Sequence, residues 1–356
     1  MLLVSRFGEI CSIASIIAVC AASGRENVKR QRFGQSALIA MLISGSAEIA
    51  VADVFIYDSG TFTTLNLPTS SPLGCSSLPS SINNSGQVVG SISCYGPIGS
   101  DYGFVYADGN YSKLSDPLAQ QTFFQGINNS GQVVGFDWAL SGVNSSFLYS
   151  NGTFSSLPGP YFEPTGINDS GRIVGIGYGG DGILYNGGVQ TVVDIPGARE
   201  TFPMDINNDG QIVGSYTNAV GGSEHGFLDA GGIFTDLDVP GAVSTWVTGI
   251  NNSGQIVGYS EDGDITSGSY VMNGFLYSNG TFTTIDEPGF IQTQLHGIND
   301  SGQIVGYVNP FALSPEPRIW PALAFCLIGL LAITHKRQSI SKRCKTRKRS
   351  TRVHAN

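Results

Sequence analysis

The sequence predicts an all-β protein, a six-bladed β-propeller of four-stranded antiparallel blades, and three observations predict it. A ten-residue element, Ser81-Ile-Asn-Asn-Ser-Gly-Gln-Val-Val-Gly90, returns five more times, at 126–135, 166–175, 205–214, 249–258 and 297–306. A second element alternates with it, beginning at Phe55, Phe104, Phe147, Ile183, Phe227 and Phe275. The composition is that of a turn-rich β protein, with 48 glycines and only 13% charged residues; a helical chain would carry more Ala, Glu, Lys and Leu.

Each element reads as a hairpin. In Phe147-Leu-Tyr-Ser-Asn-Gly-Thr-Phe-Ser-Ser-Leu157, Phe147 and Tyr149 share a strand face and Phe154 leads the returning strand. Asn151-Gly152 lies between them, matched by Asp108-Gly109, Gly231-Gly232 and Asn279-Gly280, and two-residue loops of this kind favour type I′ turns with positive φ at both positions. In the other element, Asn-Asn-Ser-Gly joins a strand ending in Ile to Gln-Val-Val-Gly. Asn and Ser suit the turn, and Gly86, Gly131, Gly171, Gly210, Gly254 and Gly302 supply its left-handed residue. Two hairpins make four strands per unit.

The marker residues Ile82, Ile127, Ile167, Ile206, Ile250 and Ile298 set the period at 39 to 48 residues. One four-stranded sheet of that size cannot cover both its faces. Burying a Phe, Leu or Ile is worth roughly 1.5–3 kcal/mol, so the uncovered face drives neighbouring units together. Radial stacking of such sheets is the propeller solution. A stacked solenoid is the alternative architecture, and the phase of the blades is left open.

The units resemble the HAF repeat of bacterial extracellular proteins, named for a His-Ala-Phe-like triplet. The triplet stands here as His225-Gly226-Phe227, and in altered form as Tyr102-Gly103-Phe104 and Asn273-Gly274-Phe275. The resemblance covers nearly all of 53–310 and implies an exported, propeller-like protein; it implies no activity and no catalytic residues.

The chain divides into a leader, 1–52, the repeat body, 53–310, and a tail, 311–356. Lys29, Arg30 and Arg32 precede the apolar run Ala37 to Ser44, and Ala50-Val51-Ala52 follows; a basic region, a short apolar region and an Ala-x-Ala site make a secretory signal for signal peptidase. Residues 1–28 carry a second apolar stretch, Cys11 to Ala22, which an upstream start codon or an uncleaved anchor would each explain. The tail runs from Pro315-Glu316-Pro317 through the apolar segment 319–334 to Lys336-Arg337 and further cations. That order resembles the PEP-CTERM sorting signal of Gram-negative bacteria, which implies recognition by an exosortase at the inner membrane. A plain single-span anchor, a C-terminal hydrophobic helix with its cations in the cytoplasm, is the alternative. Both place the body outside the cytoplasm, at the cell surface or secreted, as a monomer held in the membrane by 319–334 transiently or permanently.

Charge excludes one class of partner. Residues 53–315 hold 23 of the 27 acidic groups against three cations, Lys113, Arg172 and Arg199, and a body of charge −20 repels phosphate backbones, so nucleic acid is not a ligand. Cys75 and Cys94 flank the first repeat, and in an exported protein they form a disulfide or remain two free thiols. Calcium needs six to eight oxygens; Asn207 and Asp209 are the nearest to a calcium loop, and a structural turn is the competing reading. His225 and His296 have no Cys or second His at ligand spacing, so zinc finds no ligand set. No Gly-x-Ser-x-Gly elbow surrounds a serine, and no residue pattern calls for a cofactor.

Function is expected where the units differ, because loops vary on a repeated scaffold. The longest connection, 259–274, carries Glu261, Asp262, Asp264 and Tyr270, and Trp246 lies among further aromatics, Tyr161, Phe162, Phe202 and Phe290. An acidic face rimmed with aromatics suits a non-catalytic module that binds extracellular polysaccharide or an envelope protein. The alternative is a propeller enzyme of glycosidase or lyase type, and glycoside hydrolysis requires two facing carboxylates.

Overall fold

The computed structural model describes residues 53–67, 75–94, 101–139, 144–220, 222–264 and 269–308. The expected signal segment, Pro315-Glu316-Pro317 and the apolar segment 319–334 lie outside them. Among the described residues no helix is long and apolar enough to cross a membrane.

Strands β1 (Asp53–Asp58) and β2 (Thr61–Thr64) open the chain. Blade one is β3 (Cys75–Ile82), β4 (Val88–Cys94), β5 (Tyr102–Ala107) and β6 (Asn110–Leu114). Blade two is β7 (Gln121–Ile127), β8 (Val133–Trp138), β9 (Ser145–Ser150) and β10 (Thr153–Ser156). Blade three is β11 (Phe162–Ile167), β12 (Ile173–Gly177), β13 (Gly182–Asn186) and β14 (Val189–Val192). Blade four is β15 (Glu200–Ile206), β16 (Ile212–Thr217), β17 (Glu224–Asp229) and β18 (Phe234–Asp236). Blade five is β19 (Ser244–Ile250), β20 (Ile256–Asp264), β21 (Ser269–Ser278) and β22 (Thr281–Thr284).

The last blade fixes the phase. Strands β23 (Thr293–Ile298) and β24 (Ile304–Val308) are completed by the first two strands of the chain, in the order β23-β24-β1-β2. Pairs Asp53↔Val308, Phe55↔Gly306 and Tyr57↔Ile304 form this seam. The hairpin at Phe55 is therefore the outer half of blade six, and the two ends of the described chain close one sheet.

Local sequence accounts for the hairpins. Asn151 and Gly152 have φ of 50° and 80°, as a type I′ turn requires. Gly86 and its five equivalents have φ between 73° and 82°, the left-handed residue of the Asn-x-x-Gly turn. The core is divided into six clusters, each formed between two consecutive blades. Val89 of blade one packs with Phe124, Ile127, Val133 and Phe147 of blade two. At the seam, Val54, Leu65 and Leu67 pack with Ile82, Val88, Ile92 and Phe104 of blade one. No blade has a private core, which is why the ring is needed.

Every inner strand carries a bulge at the same place. Pairing with the second strand skips Ser80, Gln125, Thr165, Met204, Thr248 and His296, each two residues before the marker Ile. The bulge also explains the last Gly of the repeat. A Cβ on Gly135 would fall within the carbonyl oxygen of Phe123 and 2.7 Å from the ring of Phe147. A bulge re-aims the side chain it frees. Here all six freed residues line one cavity on the axis.

Candidate functional site

At one end of the axis the turns lock together. The Asn83 side-chain N–H donates to Asn128 O at 3.2 Å, Asn128 to Asn168 O, Asn168 to Asn207 O, Asn207 to Asn251 O, Asn251 to Asn299 O, and Asn299 returns to Asn83 O at 3.1 Å. The next residue makes a second closed ring. The backbone N–H of Asn84 donates to Asn129 Oδ1, and so on through Asp169, Asn208, Asn252 and Asp300 back to Asn84. Burial pulls the Asp169 carboxyl up, but hydrogen bonds from Asn208 and Asn129 outweigh it and leave the group below its ordinary range. Asp300 is lowered in the same way against burial by Asn84 and Asn252. The cavity at this end is about 50 Å³, room for a water or two.

Asp205 departs from the pattern, standing where four of the other units have Gly and blade one has Ser81. Burial pushes its pKa up to about 6, against the N–H groups of Ile250 and Ile206 that bond its carboxylate at 3.0 and 2.8 Å.

The residues read as a calcium candidate belong to the turn. Asn207 Oδ1 accepts Gln211 N–H at 3.0 Å, and its amide donates to Gln211 Oε1 at 2.8 Å as well as across to Asn251 O. Asp209 is exposed in the same turn. Among the described residues no group of three His, Cys, Asp or Glu is placed to hold a metal.

The other end widens into a cavity of about 260 Å³. Of the six bulge residues that line it, those of blades one, three and five bond to the next blade. Ser80 Oγ donates to Phe124 O at 3.1 Å, Thr165 Oγ1 to Pro203 O at 2.7 Å and Thr248 Oγ1 to Leu295 O at 2.8 Å. Gln125, Met204 and His296, from blades two, four and six, make no such bond. His296 Nε2 is buried without a hydrogen-bond partner, and burial pushes its pKa down to about 4, so the ring is neutral near pH 7.

A row of rings rises from His296. Tyr307 stacks on it at 5.4 Å, Tyr259 lies 6.3 Å away, and Trp246 stacks on Tyr259 at 5.1 Å. Phe123, which lines the cavity from blade two, stacks on Phe136 at 5.0 Å. The Tyr259 hydroxyl is pushed well up, by burial first and then by Tyr307, Glu224 and Glu261.

Of the residues singled out from sequence, Trp246 joins this row, and Glu261 lies buried across from Ser244 in the ladder. Asp262 accepts the Asn273 amide at 2.7 Å within its own hairpin. The stretch 259–274, expected as a long connection, is mostly strand: β20 and β21 stay paired to Asp264↔Ser269, with Gly263 opposite Tyr270. Phe162 is core, packed with Ile167 and Ile183. Cys75 and Cys94 face each other at the end of β3 and β4 and are joined by a disulfide. Apart from His296, weighed only as a metal ligand, the bulge residues were not singled out from sequence, although their signal is present. The position two before the marker Ile reads Ser, Gln, Thr, Met, Thr and His while its neighbours repeat.

These features define a six-bladed β-propeller with one end of its axis sealed and the other opening on a lined cavity. No family model and no curated protein matches the chain. Among solved structures it is similar to a putative TolB from Agrobacterium tumefaciens, with a TM-score of 0.53 and 13% identity over 73% of this chain and 99% of that one. It is also similar to TolB from Acinetobacter baumannii, with a TM-score of 0.46 and 11% identity over 80% and 71% of the two chains. The first likeness supports the propeller fold and nothing finer.

Proposed function

We propose that this chain is an exported, non-catalytic binding module that takes extracellular polysaccharide or an envelope protein at the wide mouth of its axis. The observation that carries the reading is the ring of six bulge residues. The scaffold around them repeats from blade to blade, while their chemistry changes at every blade, as a recognition surface requires. The disulfide between Cys75 and Cys94 suits an oxidising compartment outside the cytoplasm, in keeping with the signal and sorting segments expected at the two ends.

A glycosidase would need a protonated carboxyl facing a second carboxylate. The lining of the wide cavity is hydroxyl, amide, thioether, imidazole, aromatic and aliphatic. At the sealed end, Asp169 and Asp300 are held as anions by Asn donors, and Asp205, whose pKa burial raises to about 6, spends both oxygens on the N–H groups of Ile206 and Ile250 beside a space of about 50 Å³, which holds water and no sugar ring. Both observations favour binding over glycoside hydrolysis.

The test is made on cells expressing the full chain. Mass spectrometry of protein recovered from the medium and cell surface should give a species beginning near Asp53, and Trp246→Ala should release surface-held protein into the medium. A chain found whole in the cytoplasm, or surface retention unchanged in that variant, would overturn the reading.

A further inference from the structure

We infer that the wide axial cavity seats a single pyranose ring of a neutral polysaccharide, with its hydroxyls hydrogen-bonded to the Gln125 amide and the His296 imidazole. The inference rests on the binding-module reading and names its ligand class. Four observations lead to it.

The first is an unmet hydrogen bond. The His296 imidazole stands at the wall of the cavity with no protein partner for its ring nitrogens, Nε2 itself being closed off from solvent, and a buried polar group left alone is costly unless a ligand or water meets it. The second is the alternation around the ring. Ser80, Thr165 and Thr248 spend their hydroxyls on the neighbouring blade, which leaves the Gln125 amide, the Met204 thioether and the His296 imidazole facing the cavity with no protein bond.

The third is shape. At about 260 Å³ the space falls just short of the roughly 300–1,000 Å³ of pockets for drug-sized ligands, so it admits one ring and not a folded peptide segment. Phe123 from blade two and Tyr307 from blade six supply apolar walls, each half-buried. A pyranose offers an apolar C–H face to such walls and hydroxyls at its edge to Gln125 and His296. The fourth is charge. No charged side chain lines the cavity, His296 is neutral near pH 7, and the body around it is strongly acidic. An anionic polymer is repelled from such a mouth, whereas a neutral one enters freely.

The experiment is calorimetric titration of the purified mature protein with neutral hexasaccharides, namely gluco-, galacto-, manno- and N-acetylglucosamine series. Oligogalacturonate serves as the anionic control, and thermal melting of every variant as the folding control. At least one neutral series should bind, and Tyr307→Ala and His296→Ala should each weaken it tenfold or more, while oligogalacturonate gives no heat. Gln125→Ala removes a side chain that bonds to no blade, so it tests the cavity even if the other two variants unfold, and it should weaken binding severalfold. On the unmodified protein, the imidazole nitrogen resonances of His296 should move during the titration.

Silence from every neutral series, binding undiminished in Gln125→Ala and in the folded variants, an unmoved His296 resonance, or equal binding of oligogalacturonate would each overturn the inference. If the exported protein is held at the cell surface while the neutral sugars stay silent, this inference fails and the binding-module reading stands. If surface retention is also absent, both fail.

Discussion

Replacing Asn299 with Ala should cost as much as replacing Asn251, because both belong to one closed ring. Each side chain is 3% exposed. Asn251 donates to Gln255 Oε1 at 2.8 Å and to Asn299 O at 3.0 Å, and accepts Ser253 Oγ–H and Gln255 N–H at 2.8 and 2.9 Å. Asn299 donates to Gln303 Oε1 at 2.9 Å and, across the seam, to Asn83 O at 3.1 Å; it accepts Ser301 Oγ–H and Gln303 N–H at 2.8 and 2.9 Å. Truncation removes these four bonds at Asn299 and five at Asn251, whose Oδ1 also accepts Ser253 N–H at 3.1 Å, and leaves a buried carbonyl and a half-buried N–H unpaired in either variant. At about 1 kcal/mol for each bond, with part of the turn's loss recovered from water and about 1–3 kcal/mol for each orphaned group, the expected loss is about 3–5 kcal/mol in either variant. Equilibrium urea unfolding, followed by circular dichroism and by tryptophan fluorescence with coincident transitions, reads the difference directly. If Asn251→Ala costs several kcal/mol and Asn299→Ala less than about 1 kcal/mol, blades six and one do not bond as described and the closed ring is wrong.

Three further outcomes follow from single sites. Gly135→Ala should be destabilising by about 3 kcal/mol or more, since its Cβ has backbone on one side and the Phe147 ring on the other; a thermal melt within a degree or two of the parent would refute the bulge as the reason for that glycine. Reducing the protein, or replacing Cys75 and Cys94 together with Ser, should cost about 3 kcal/mol by the chain-entropy estimate for a sequence separation of 19; identical unfolding midpoints with and without reductant would refute it. Burial first, and then the neighbouring Asp116, raises the pKa of Asp137 to about 7, against a hydrogen bond from Thr122. The folded state thus keeps a proton that the unfolded chain loses near its ordinary value of 3.8. Its stabilisation is complete below pH 3.8 and is lost as pH rises through about 7. Asp137→Asn should therefore gain stability relative to the parent between pH 4 and pH 8, and a parallel pH profile for the two proteins would contradict this.

The fold was legible because local chemistry and the period pointed the same way. Asn151-Gly152 has the two positive φ values its sequence demands, and the alternating apolar strands found cores between blades. The phase was not legible, since either hairpin can begin a blade on local grounds; the pairing of β1 with β24 decides it, and that depends on where the ends meet. The Asn residues read correctly as turn formers, but each has a second partner one blade away, which only a closed ring brings within reach. At the candidate site, Trp246 was found through its residue type. His296 was weighed as a metal ligand and set aside for want of a second ligand at metal spacing, and its place at the cavity comes from a bulge that local sequence does not announce. Glu261 and Asp262 were placed in a loop because their polarity interrupts the pattern, yet the β20–β21 hairpin continues through them. Two-stranded pairing beyond the blade edge tolerates polar residues, so composition alone could not distinguish the two.

Ring closure by the two ends of the repeat body underlies both the sealed floor and the cavity above it, and hydrogen exchange tests it most directly. In the full chain, the amides of β1 and β24 that pair across the seam should exchange as slowly as those joining β16 and β17 inside blade four. Exchange of residues 53–58 and 304–308 within seconds, while blades two to five stay protected, would show an open array and remove the basis for an axial site.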